Sequence, residues 1–116
     1  MISAKLKKQI LDKIFQYILR DDCLVFLFGS FGKGNVYRSS DIDIGILSSR
    51  PLENSIIVKI KEEMSQVKTL RDIDLVDFLS VQDNDFLRIA LKEIKIWHKT
   101  SRSKVYLDNL KKRIRD

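Results

Sequence analysis

At 116 residues, 44% hydrophobic and 33% charged, the chain has the size and composition of one soluble globular domain and not of a disordered segment. Its formal charge of +6 sits at the ends: residues 1–20 hold five Lys/Arg against one Asp, residues 102–116 hold six against two, and the middle has eleven basic and thirteen acidic residues. That distribution ranks nucleic acid low among partners; no apolar run nears the roughly 20 residues of a membrane span, and the N-terminus lacks a signal-peptide core.

Residues 3–20 predict an amphipathic helix capped by Ser3, with Leu6, Ile10, Leu11, Ile14, Phe15, Ile18 and Leu19 on its apolar face. CLVFLF (23–28) is a continuous apolar run ending at Gly29, as in a strand buried on both faces. Gly29, Gly32 and Gly34 make 29–40 a loop. From Asp41 to Leu47 the chain alternates, with Ile42, Ile44 and Ile46 on one side and Asp41, Asp43 and Gly45 on the other. Residues 53–68 read as a helix burying Ile56, Ile57, Ile60 and Met64, and 73–79 as a third strand. Residues 83–93 form a helix capped by Asp83 or Asn84, while IKIW (94–97) fits either a continuation of it or a short strand. A basic helix over 102–115, with Val105, Leu107, Leu110 and Ile114 as its apolar positions, completes the chain. The pattern is α+β: a small mixed sheet covered by helices in one domain, residues 1–116.

Two aspartates at i and i+2 on a strand share one face, roughly 7 Å apart along the backbone. Burying them unpaired beside Ile42 and Ile44 costs several kcal/mol by order of magnitude, and a hard divalent cation is the natural compensation. Mg²⁺ takes one or two carboxylates and completes its shell with water and phosphate oxygens. A third carboxylate from strand 73–79 would complete a two-ion site. Asp74, embedded between Ile73 and Leu75, is the candidate; Asp72 reads as a solvated partner of Arg71, and Asp77 points the other way. Gly29 allows close backbone approach to a phosphate, Ser30 supplies donors, and Lys33 is placed for the outer phosphates. With Ser40, beside the first aspartate, they form the candidate nucleotide-binding set.

Gly29-Ser30, ten intervening residues and Asp41-Ile42-Asp43 resemble the signature of the nucleotidyltransferase superfamily built on the polymerase-beta-like fold. The short chain, SSDIDIGIL and the strand IDLVDF are most similar to the minimal nucleotidyltransferases, over about residues 10–97. That resemblance implies two Mg²⁺ ions on Asp41, Asp43 and Asp74, and ATP as substrate with its triphosphate on Gly29 and Ser30. It also implies AMP transfer to a tyrosine of a HEPN-domain toxin, which makes the chain an antitoxin. The family loop commonly reads Gly-Ser-x-Ala-x-Gly with Arg before the last Gly; here Gly32 and Lys33 take those places. Lys keeps the charge but loses bidentate phosphate recognition. Two rivals stand beside this reading: a binding module that neutralises its partner by occlusion, and a transferase acting on RNA or a small-molecule hydroxyl.

Elsewhere the residues read as structural. Cys23, the single cysteine, cannot close an internal disulfide and fits a core position in a reducing cytoplasm. His98, the single histidine, has no Cys or His nearby in sequence and reads as a surface residue. Trp97 and Tyr106 read as core or interface aromatics.

Overall fold

The computed structural model describes residues 2–29, 41–69 and 71–115. In chain order they form α1 (Ala4–Phe15), a 3₁₀ turn (Arg20–Asp22), β1 (Cys23–Phe28) and β2 (Ile42–Ser48). Then come α2 (Asn54–Met64), β3 (Ile73–Asp77), α3 (Asn84–Lys92), β4 (Lys95–His98) and α4 (Ser101–Arg113). The sheet order is β3-β2-β1-β4, with β1 antiparallel to β2 and β4. Strands β2 and β3 run parallel, so their connection must cross over, and α2 is that crossover.

The sheet carries an apolar core on each face, which is why CLVFLF shows no alternation. On one face Val25, Leu27, Ile42, Ile44, Ile46 and Leu75 pack against Ile10 and Ile14 of α1 and Ile60 and Met64 of α2. On the other, Leu24, Phe26, Phe28 and Leu47 meet Leu87 and Leu91 of α3 and Leu107, Leu110 and Ile114 from α4 and its end. Gly45 lies on this second face at a point with no room for a side chain: an added Cβ would fall on the Phe26 ring and 2.8 Å from Phe78 Cε1.

Several expectations change, and one open alternative closes. Helix α1 ends at Phe15, and the chain turns through the 3₁₀ segment, so Leu19 leaves the apolar stripe and is 77% exposed while Ile18 stays buried. Strand β3 stops at Asp77, because that carboxylate accepts from Leu79 N–H (3.1 Å) and Ser80 Oγ (2.8 Å) and folds the chain into a turn. IKIW resolves as strand: β4 pairs with the flank of β1 that β2 leaves open. Val105 is half-exposed, and Ser103 takes the buried position on α4, its side chain closing a capping box with Thr100. The C-terminal helix packs on its own domain's second core.

The single cysteine behaves as expected. Cys23 is fully buried, and burial, with the nearby Asp22 charge, pushes its thiol up to about 11. His98 is half-buried, not superficial: its Nε2 lies 2.7 Å from the Arg20 carbonyl oxygen and its ring meets Phe15 edge-on.

Candidate active site

Strand register brings the carboxylates together. Asp43 of β2 is the direct partner of Asp74 on parallel β3 and of Phe28 on antiparallel β1. Adjacent strands lie about 4.8 Å apart, so Asp43 and Asp74 stand side by side on the second face although 31 positions separate them in the chain. Asp41 is one residue ahead of β2 and exposed; Asp43 is half-buried and Asp74 exposed on the edge strand.

Gly29 closes the other side of Asp43. It follows Phe28, the last residue of β1, with φ of +65°, the left-handed region that glycine tolerates, and an added Cβ would sit 2.5 Å from Asp43 Oδ2. The backbone at Gly29 and the Asp43 carboxylate are therefore in close contact. Ser30, Lys33 and Ser40 lie outside the described residues.

The electrostatics suit a cation. Burial first, then the Asp74 and Asp41 charges, raise the Asp43 carboxyl above its ordinary value. The salt bridges among the described residues (Lys8–Asp12, Lys13–Glu63 and Arg88–Asp85) do not involve these three aspartates. A hard divalent ion would relieve this repulsion, and carboxylate oxygens are the donors that such an ion takes. Among the described residues no three His, Cys, Asp or Glu side chains yet stand close enough to hold an ion. Asp74 Oδ1 instead accepts from Leu75 N–H at 3.1 Å.

Asp77 is sorted out by its bonds. It is buried on the opposite face and accepts from Leu52 N–H at 2.8 Å as well as from Leu79 and Ser80, which makes it a structural tie. A feature that sequence reasoning missed lies on the Phe28 side of Asp43. A cavity of about 230 Å³ there is lined by Phe28, Gly29 and Asp43 from the sheet side and by Phe86, Ile89, Ala90 and Glu93. Those last four follow i, i+3, i+4, i+7 spacing along α3 and its cap, a stripe visible in the sequence but not assignable to a neighbour.

The family model described as polymerase beta, nucleotidyltransferase matches residues 8–102. The chain belongs to that nucleotidyltransferase family. Among the relatives of this nucleotidyltransferase, the protein adenylyltransferase MntA of Shewanella oneidensis is 30% identical over 84 residues, covering 69% of this chain and 60% of that protein. The probable protein adenylyltransferase MntA of Haemophilus influenzae is 34% identical over 71 residues, 61% of each chain. The nucleotidyltransferase match thus spans about three-fifths of the length of these curated relatives. A toxin–antitoxin structure with AMP-PNP superposes with a TM-score of 0.74 at 23% identity, over 94% of this chain and 86% of that one. A tri-AMPylated Shewanella oneidensis HEPN toxin in complex with MNT antitoxin contains a chain that superposes at 0.68 and 20% identity, over 96% and 85%. At these identities the structural likeness establishes the fold.

Proposed function

We propose that this nucleotidyltransferase transfers AMP from ATP to a protein hydroxyl, a tyrosine of a HEPN-type toxin, and thereby acts as a cytoplasmic antitoxin. The carrying observation is the register that sets Asp43 beside Asp74 with the Gly29 turn against Asp43. The family membership and the adenylyltransferase names of the two MntA relatives support the reaction class.

In this reading Asp41, Asp43 and Asp74 hold two Mg²⁺ ions. When bound, such ions supply charge neutralisation and a fixed placement for the attacking and leaving oxygens. The chain's own contribution is positional. Gly29 and Ser30 offer backbone and hydroxyl donors to the β- and γ-phosphates, with Lys33 and Ser40 assisting. Asp74, on the exposed edge strand, faces the acceptor and takes the hydroxyl proton. The acceptor oxygen bonds to the α-phosphorus as the bond to the bridging oxygen breaks, and pyrophosphate leaves.

The test uses ATP labelled at the α-phosphate, Mg²⁺ and a HEPN-domain protein, with the D41N/D43N double variant as control. Label on a tyrosine of that protein with the native chain alone supports the reading. Stoichiometric, neutralising complex formation by both versions without label would replace it with occlusion.

A further inference from the structure

We propose that the cavity between β1 and α3 seats the nucleobase of the incoming nucleotide, with Phe86 and Ile89 as its apolar walls and Glu93 accepting an N–H from the base edge. The inference rests on the nucleotidyl-transfer reading and adds to it the residues that choose the nucleotide.

Direction carries the first part of the argument. Asp43 has Phe28 as its strand neighbour on one side and Asp74 on the other. The cavity opens on the Phe28 side and includes Gly29, the phosphate side of the site. A ligand extending from Asp43 past Gly29 toward α3 is therefore the nucleotide, while the acceptor approaches from Asp74.

Chemistry carries the second part. Phe86 is 38% and Ile89 59% exposed, although Leu87 and Leu91 of the same helix are buried in the second core. Helix α3 thus shows a second apolar stripe that the fold itself does not cover, and it borders a carboxylate site. Phe86 is held edge-to-face against Phe28 at 6.1 Å between centroids, which fixes one wall. Flat aromatic and aliphatic walls suit a purine ring, and base–aromatic contact of this kind changes affinity by about tenfold or more. Glu93, the C-cap of α3, adds an acceptor-only group at the rim. Adenine meets it with its exocyclic amine.

The experiment measures binding of ribose-labelled fluorescent ATP in Mg²⁺ without any acceptor, with unlabelled ATP, purine riboside triphosphate (which lacks the amine) and inorganic tripolyphosphate as competitors. Native protein should prefer ATP to tripolyphosphate by about tenfold or more, and ATP to purine riboside triphosphate by a smaller factor. Phe86→Ala and Ile89→Asp should each erase the first preference while leaving tripolyphosphate competition unchanged. Glu93→Ala should erase the second. Ile89 is exposed, so its variant remains informative if Phe86→Ala disturbs the aromatic cluster. Equal competition by ATP and tripolyphosphate in the native protein overturns the proposal. So does unchanged ATP affinity in both wall variants; slower labelling by those variants in the separate α-phosphate transfer assay would then give the cavity to the acceptor's side chain. Label transfer with unaltered nucleotide preference sinks this inference alone; base-selective binding without any transfer sinks the reaction and spares the pocket.

Discussion

Asp43 and Gly29 carry opposing demands at the scale of single residues. Asp43 is half-buried among like charges, and its carboxyl is raised by burial, then by Asp74 and Asp41. Its negative charge is therefore harder to maintain folded than unfolded, which costs stability at neutral pH when no cation is present. We expect Asp43→Asn to raise the melting temperature of metal-free protein at pH 7 while lowering AMP transfer by more than about a hundredfold, since even outer-shell metal partners account for about 10–100-fold. A lower melting temperature would mean that the carboxylate is a structural bond and not a repelled ligand. Gly29 is constrained from both directions: its φ is positive and its missing Cβ leaves the space Asp43 Oδ2 borders. Gly29→Ala should cost about 1–3 kcal/mol from the backbone alone and reduce transfer further by displacing Asp43. Urea unfolding and the labelling assay read the two effects separately, and full activity in the variant would remove Gly29 from the site.

At the scale of an element, the proposed reaction would have strand β3 divide two carboxylates between stability and chemistry. Alternation points Asp74 and Asp77 to opposite faces. Asp77 is buried and satisfied by two backbone N–H groups and a hydroxyl, whereas Asp74 is exposed and takes one bond from its own neighbour. Asp77→Ala should therefore destabilise by about 3 kcal/mol, because buried donors lose their acceptor, yet leave transfer intact in the folded fraction. Asp74→Ala should do the reverse, within about 0.5 kcal/mol of native stability but without transfer. Chemical denaturation of both variants beside their specific activity decides it, and equal loss of stability in the two would refute the division. Helix α3 has a similar double duty. Asp83 caps it by accepting from Asp85 and Phe86 N–H, Leu87 and Leu91 anchor it in the core, and Phe86 and Ile89 remain turned to the site.

On the scale of the whole molecule, three segments far apart in sequence meet at Asp22. Its carboxylate accepts from Tyr106 Oη of α4 at 2.5 Å and from Ser49 Oγ after β2 at 2.8 Å. Burial pushes the Asp22 carboxyl up, but the Tyr106 and Ser49 bonds and the Arg102 charge outweigh it, and the net shift is downward. A depressed folded value stabilises the protein above the unfolded carboxylate range, near pH 3.9, and that stabilisation disappears as pH falls through the lower folded value. Tyr106→Phe should move the acid unfolding midpoint to higher pH, with little change in the pH dependence above pH 6. An unchanged acid midpoint, followed by circular dichroism, would show that the tie does not couple α4 to the sheet.

How much of this was legible beforehand depends on the range of the interaction. Local pattern was enough for β1, for the alternation of Ile42, Ile44 and Ile46, for the Ser3 cap and for the opposite facing of Asp74 and Asp77, because period and parity are properties of neighbouring residues. The Gly-Ser and Asp-x-Asp spacing was enough for the family. The rest required partners that local pattern does not name. IKIW became a strand because β1 had an unpaired flank, α1 ended early because the chain had to turn into β1, and the Phe86–Ile89–Glu93 stripe acquired meaning by lying over Asp43. Whether a short apolar run is helix or strand, and which face of a helix borders a site, is set by long-range pairing and burial; those belong to the folded sheet, not to any stretch of sequence.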